Sequence, residues 1–319
     1  MYDQIPTLDL ALFTAGSPDE RNHFVAQLGH AYQEIGFVAL KHHGLSPALE
    51  QELYRAVETF FALPEATKLR YEVPGIAGQR GYTGKGKEHA KGRSVGDLKE
   101  FYHVGQPEPP SGAEPGTYPA NVFPTEVPGF EAATLAAYRQ LEATGQAVLR
   151  ALALYLGIDE GYFEPRVRGG NSILRPIHYF PIEDPDSVPP DAVRAAEHED
   201  INLITLLMGA SADGLQVLRR DGQWIPITAL PDCIVVNVGD MLQRLTNNRL
   251  KSTTHRVVNP PRERMGTSRY SIPFFLHPVA DMDLTCLPEC IPAGQAPAYT
   301  PITAGAYLHE RLAEIGLTK

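Results

Sequence analysis

Leu215-Gln216-Val217-Leu218-Arg219-Arg220-Asp221-Gly222-Gln223-Trp224-Ile225-Pro226-Ile227 is the stretch on which the fold turns. Two short runs with apolar residues at alternate positions flank Asp221-Gly222, a dipeptide that takes left-handed backbone angles readily and joins antiparallel strands. The segment reads as a β-hairpin. Working outward, Ser172–Phe180, Asn202–Met208, Ile234–Val238, Thr253–Val258 and Tyr270–Leu276 are further short strand candidates separated by turn residues. Short strands at such spacing describe a sandwich or barrel of the jelly-roll kind.

Upstream of Gly170 the periodicity is helical. Ser17-Pro18-Asp19-Glu20 supplies a hydroxyl cap, a proline at the first helical position and an acid that can reach back to the cap. Phe24, Leu28, Tyr32 and Ile35 then fall on one face, and Gly36 ends the run. Phe37–Leu40 reads as a buried strand. Ser46-Pro47 repeats the cap-plus-proline device before a stripe of Leu49, Leu53, Val57, Phe60 and Phe61, and a longer helix runs up to Gly157. Between them, glycines crowd Pro74–Gly96, where no regular element is expected and a mobile functional loop is. Thr303–Leu317 predicts a terminal helix. The expected fold is mixed α and β: residues 1–170 form a helical N-terminal region with a Gly-rich loop, 171–280 a jelly-roll (double-stranded β-helix) core, and 281–319 a C-terminal extension packing on it.

Composition narrows the class. An apolar share of 43% with 21% charged residues is that of a globular chain, and 28 Gly with 28 Pro make it turn-rich. A net charge of −10 disfavours a nucleic-acid partner, which needs a basic surface. The first residues carry Asp3 and Asp9 without a basic cap before an apolar run, and no stretch reaches the roughly 20 apolar residues of a membrane span. A cytoplasmic protein is expected. Cys233, Cys286 and Cys290 form no CxxC pair and are read as reduced thiols.

Among 11 histidines, only His198 heads an His-x-acid triplet, His198-Glu199-Asp200, and about one is expected by chance from this composition. Its placement says more than its existence. On an extended segment residues two apart project to one side, so His198 and Asp200 can share an ion. A third ligand from a neighbouring strand is best supplied by His255, inside the β-branched run Thr253–Val258; His277, followed by Pro278, is the weaker candidate. Two imidazoles and one carboxylate leave adjacent positions open on a non-haem iron(II). The ordinary alternative is a surface His198 beside a packed His255. Arg269 and Ser271, two apart on a predicted strand, offer a guanidinium fork and a hydroxyl to a carboxylate; alone they are equally an unremarkable strand.

In order along the chain, these motifs resemble the iron(II)/2-oxoglutarate-dependent dioxygenases of the isopenicillin N synthase-like family. The N-terminal part carries Ile5-Pro6-Thr7-Leu8-Asp9-Leu10, Gly36-Phe37-Val38, His42-His43-Gly44, Phe60-Phe61-Ala62-Leu63-Pro64, Lys68, Arg80-Gly81-Tyr82 and Lys99-Glu100. The C-terminal part carries the acid-bearing triplet, then Thr205-Leu206-Leu207, Gly214-Leu215-Gln216-Val217, Val236-Asn237-Val238-Gly239-Asp240, His255-Arg256-Val257 and Arg269-Tyr270-Ser271. The resemblance implies His198, Asp200 and His255 as iron ligands and Arg269 with Ser271 as the grip on the distal carboxylate of 2-oxoglutarate. It also implies iron(II), 2-oxoglutarate and dioxygen as cofactor and cosubstrates. Two departures stand out. Where many members have Asn-Tyr-Tyr-Pro, this chain has His178-Tyr179-Phe180-Pro181, so His178 either takes over the cosubstrate contact of the tyrosine before the proline or the contact is lost. The middle residue of the triplet, commonly Thr, is Glu199, an acid that either favours a basic substrate or faces water.

The expected function is a 2-oxoglutarate-dependent oxygenase that oxidises a small organic substrate, by hydroxylation in the default case, forming succinate and CO2. No catalytic residue beyond the metal ligands is expected. Arg80, Tyr82 and Arg175 are candidate substrate contacts. Two rivals use the same fold: an isopenicillin N synthase-like or ascorbate-dependent oxidase working without 2-oxoglutarate, and a non-catalytic metabolite-binding protein.

Overall fold

The computed structural model describes the chain apart from residues 1, 77, 88–98, 111, 114–116, 183, 185–192, 210–213, 229–231 and 315–319. In the N-terminal region the order is β1 (Thr7–Asp9), α1 (Leu10–Thr14), α2 (Pro18–Glu34), β2 (Phe37–Lys41), α3 (Pro47–Phe61), α4 (Glu65–Lys68), β3 (Gly81–Thr83), β4 (Lys99–Gly105), α5 (Phe130–Leu156) and α6 (Glu164–Val167). Then follow β5 (Ile173–Leu174), β6 (Ile177–Tyr179), β7 (Ala195–His198), β8 (Ile204–Met208), β9 (Leu215–Leu218), β10 (Trp224–Pro226) and β11 (Ile234–Val238). The chain closes with α7 (Asp240–Leu245), β12 (His255–Val257), β13 (Arg269–Ser271), β14 (Pro273–Leu276) and α8 (Ala304–Glu314).

Local chemistry places the helices where the sequence puts them. Ser17 caps α2, and the Ser17 amide donates back to the Glu20 carboxylate at 2.8 Å. Gly36 ends that helix with φ +72°, and a Cβ there would lie 2.4 Å from the Lys251 carbonyl oxygen, so the position takes only glycine without a shift. Pro47 opens α3 behind a Ser46 cap.

Two sheets face each other. The larger runs β1-β2-β11-β8-β14-β5-β4-β6-β13 with β3 on β4; the smaller runs β10-β9-β12-β7. The Asp221-Gly222 hairpin joins β9 to β10 with Leu218 opposite Trp224 and Gly222 at φ +83°. β2 inserts between β1 and β11, so the N-terminal region contributes strands to the same sheet as the jelly roll. The apolar core is shared likewise: Phe24, Leu28 and Leu53 from the helices belong to one buried cluster with Leu206, Val236 and Phe274 from the strands. A smaller cluster of Phe37, Val217, Val235 and Val257 fills one end between the sheets.

The differences from expectation have physical causes. Gly81–Thr83 is a strand inside the glycine-rich stretch, because strand pairing to β4 supplies order that local composition cannot. Gly92 and Gly96 of that stretch, and with them much of the expected functional loop, lie outside the described residues. Ser172–Phe180 divides into β5 and β6 at Arg175-Pro176, where proline has no N–H for the ladder. Tyr270–Leu276 divides around Ile272 into β13, paired with β6, and β14, paired with β8 and β5. The three cysteines are free and buried. No helix among the described residues is long and apolar enough to cross a membrane.

Candidate metal centre

β7 ends on His198, directly opposite His255 of β12, and the ladder carries an extra residue in β7 between this pair and Ala195–Val257. Such a bulge re-aims a strand end. The two imidazoles stand 4.4 Å apart between ring centroids. Asp200, two residues on, places Oδ1 3.7 Å from Nε2 of each histidine. One ligand atom from each of the three residues lies within 4.8 Å of the others.

The surroundings prepare these atoms for a cation. His198 Nδ1 lies 2.7 Å from the Ala196 carbonyl and His255 Nδ1 3.0 Å from the Thr253 carbonyl. A carbonyl only accepts, so both Nδ1 atoms carry the proton and both Nε2 lone pairs point into the cluster. The Asp200 Oδ2 oxygen accepts from Thr205 Oγ1 at 2.6 Å and from Asn237 Nδ2 at 2.9 Å, leaving Oδ1 for the centre. Burial works to raise the Asp200 pKa, but His255, His198 and these two donors outweigh it and hold the carboxyl below its ordinary value. The protein around His198, followed by its neighbour His255, pushes that imidazole's pKa down, which keeps it neutral as a ligand must be. Two imidazoles and one carboxylate on one side fit a divalent transition metal with open positions on the other. His277 is buried but lies outside the cluster, so the structure brings together the histidine that the β-branched run favoured.

Beside this cluster, β4, β6 and β13 lie in register. Arg269, Tyr179 and Lys99 form one cross-strand row and Ser271, Ile177 and Phe101 another. Alternation along a strand puts both rows on one face. Arg269 stacks over the Tyr179 ring at 5.0 Å, and Phe101, Ile177 and Tyr179 cluster together. The row between them, Glu100, His178 and Tyr270, faces the other way.

That parity overturns the expectation for His178. Its ring stacks on Tyr270 at 4.9 Å, its Nδ1 lies 2.7 Å from Glu100 Oε1, and its Nε2 lies 3.0 Å from Ser268 Oγ. It belongs to a buried network behind the sheet, in which Lys68 and Tyr82 also donate to Glu100. The tyrosine beside Arg269 is Tyr179. Phe180, standing between it and Pro181, is what misleads a reading that counts back from the proline.

The three substrate candidates separate. Tyr82 spends its hydroxyl on Glu100 at 2.6 Å, in that rear network. Arg80 is fully buried, donating to Gln106 Oε1 at 2.6 Å, Asn171 Oδ1 at 3.2 Å and the Gln79 carbonyl. A Cβ at Gly105 would sit 2.0 Å from its guanidinium, so Arg80 is a packed structural residue. Only Arg175 reaches the inner face, with its guanidinium 4.5 Å from Phe101 and 5.2 Å from Phe275 and its Nε against His103. Glu199 is half-buried and has partners within the protein. It accepts from Thr254 Oγ1 at 3.1 Å and abuts Asp240, whose pKa burial and then Glu199 raise to about 7. Arg311 and Tyr307 of α8 each approach Asp240 Oδ2 to 3.4 Å.

Residues 5–126 match the family described as the non-haem dioxygenase in morphine synthesis N-terminal region, and residues 170–278 match the 2OG-Fe(II) oxygenase superfamily. A 2-oxoglutarate-Fe(II) type oxidoreductase of Emericella nidulans is 32% identical over 95% of this chain and 89% of its own length. A proline hydroxylase of Petromyces alliaceus is 32% identical, over 97% of this chain and 98% of its own. Among solved structures, a 2OG-Fe(II) oxygenase family protein from Caulobacter crescentus is 43% identical with a TM-score of 0.87, covering 98% of this chain and 99% of that one. A full-length Neurospora crassa protein solved in complex with alpha-KG and thymine is 33% identical with a TM-score of 0.87, covering 97% and 96%.

Proposed function

The chain belongs to the 2OG-Fe(II) oxygenase superfamily and is an Fe(II)/2-oxoglutarate-dependent dioxygenase of the isopenicillin N synthase-like type, and we propose that His198, Asp200 and His255 hold its iron. The observation that carries this reading is the cluster itself: three ligand atoms within 4.8 Å, each pre-oriented by its own hydrogen bond. Arg269 and Ser271 hold the distal carboxylate of 2-oxoglutarate, with Tyr179 beside them. Bound there, iron(II) with 2-oxoglutarate and dioxygen supplies an oxidation that converts a substrate C–H to C–OH, while the cosubstrate leaves as succinate and CO2.

The chain's own residues orient and shield. Thr205 and Asn237 keep Asp200 to one ligating oxygen. Arg175, between Phe101 and Phe275, faces the substrate and offers it donors beside two aromatic faces, which suits a small organic molecule bearing a hydrogen-bond acceptor. The rival without 2-oxoglutarate drew its support from the tyrosine counted as absent, and Tyr179 beside Arg269 removes that support. Buried free thiols and the acidic balance fit a reducing cytoplasm without a nucleic-acid partner. Titrating 2-oxoglutarate into the anaerobic Fe(II)-loaded protein tests the assignment. The expected result is a metal-to-ligand absorption band, followed by succinate on admitting oxygen; no band and no succinate would sink it.

A further inference from the structure

Arg194 stands four residues before His198 and is only 5% exposed. Its Nε is buried without a hydrogen-bond partner, and its Nη2 reaches only the Thr267 carbonyl, at 3.4 Å. Among the described residues it forms no ion pair. A buried guanidinium is kept where an anion meets it, because desolvation is otherwise uncompensated. Desolvation first, and then repulsion from Arg269, lower the Arg194 pKa to about 10.

Where the fork lies tells which anion. The Arg194 guanidinium carbon is 5.8 Å from the centre of the Tyr179 ring, the ring that Arg269 approaches to 5.0 Å. The two cations thus share a neighbouring ring and are close enough to repel one another. A cavity of about 400 Å³ is lined by both guanidinium-bearing residues, together with Ser268, Asn259, Arg264 and Glu58. A carboxylate has four acceptor positions and can take two guanidinium forks at once.

Resting on the 2-oxoglutarate reading above, we infer that Arg194 is a second, unassigned grip on the cosubstrate's distal carboxylate. It approaches the same Tyr179 ring as Arg269 and sets the preference for a dicarboxylic over a monocarboxylic 2-oxo acid. A single-arginine pocket would leave Arg194 without a counter-ion.

The test compares 2-oxoglutarate with 2-oxovalerate, which has the same oxo-acid end and no distal carboxylate. Binding is read by calorimetry on the full-length protein loaded with Mn(II). For Arg194→Gln the Kd for 2-oxoglutarate is expected to rise about tenfold or more, as for a lost charge-assisted bond, while that for 2-oxovalerate stays within about twofold. Equal shifts for both ligands, or no shift, would overturn the inference, since a residue that only packs cannot tell them apart. Arg269→Gln probes the same point with Arg194 untouched: a remaining preference of about fivefold or more for 2-oxoglutarate is expected, and its complete loss is the contrary result. A parent protein that binds no 2-oxoglutarate would instead remove the cosubstrate reading and this inference with it.

Discussion

Replacing Lys68 by methionine keeps the aliphatic stem and deletes the one full positive charge that meets Glu100. The two side chains are 8% and 1% exposed, and Lys68 Nζ lies 2.9 and 2.7 Å from the two carboxylate oxygens. Tyr82 and His178 remain on the carboxylate after the change. Removing one partner of a buried pair costs about 3–5 kcal/mol, but Glu100 can escape by taking up a proton. From an ordinary pKa of about 4.3, at about 1.36 kcal/mol per unit, that escape costs about 3.7 kcal/mol at pH 7 and about 1 kcal/mol at pH 5. The cheaper route governs, so the deficit is about 3–4 kcal/mol at pH 7 and about 1 kcal/mol at pH 5. With an unfolding entropy of about 2.1 cal/mol/K per residue, the 319-residue chain loses about 5 K of Tm at pH 7 and 1–2 K at pH 5.

The parent behaves oppositely. Burial alone would raise the Glu100 pKa, but His178, Lys68 and Tyr82 together hold it below the ordinary value. Its stabilising contribution is therefore complete above the unfolded pKa and is lost as pH falls through the folded one. Thermal melts of both proteins from pH 5 to 8 measure the difference. A deficit under about 1 kcal/mol at pH 7, or one that does not shrink toward pH 5, would refute the reasoning.

Asn237→Ala removes one of two donors to the Asp200 Oδ2 oxygen, and metal affinity should fall about 10- to 100-fold, read by competition with a chromophoric chelator; unchanged affinity would mean that Thr205 alone suffices. Tyr179→Phe should raise the Kd for 2-oxoglutarate while leaving Tm nearly unchanged, whereas His178→Ala should lower Tm and leave that Kd in place; the reverse pattern would invalidate the assignment of faces. Gly29→Ala sets a Cβ 2.1 Å from the Tyr155 ring where α2 meets α5, so a loss of about 1–3 kcal/mol is expected in denaturant unfolding. A variant as stable as the parent would show that the ring swings aside.

What the sequence disclosed, and what it kept back, follows the range of the interactions concerned. The Ser17 capping box, the Asp221-Gly222 turn and the helix stops at Gly36 and Gly157 are contacts within a few residues, and each appears where the residues put it. His198 and Asp200 are two apart and share a target for the same reason. Long-range pairing is another matter. Gly81–Thr83 becomes a strand only because β4 lies beside it, and which of His178 and Tyr179 faces Arg269 depends on a register that Pro181 does not set. Arg194 had no motif of its own; only the approach of two guanidiniums to one ring singles it out.

β2 lies between β1 and β11, and β11 carries the asparagine that steadies Asp200. On a ribosome, residues 37–41 leave the exit tunnel almost two hundred residues before the strand at 234–238 that must pair with them. At about 5–20 residues per second, that partner arrives roughly 10–40 s later, and the early apolar strand spends the interval without one of its neighbours. Nascent chains halted between those two points would therefore expose it to any chaperone that reads unpaired strand edges, and the iron site would be among the last parts of the molecule to form.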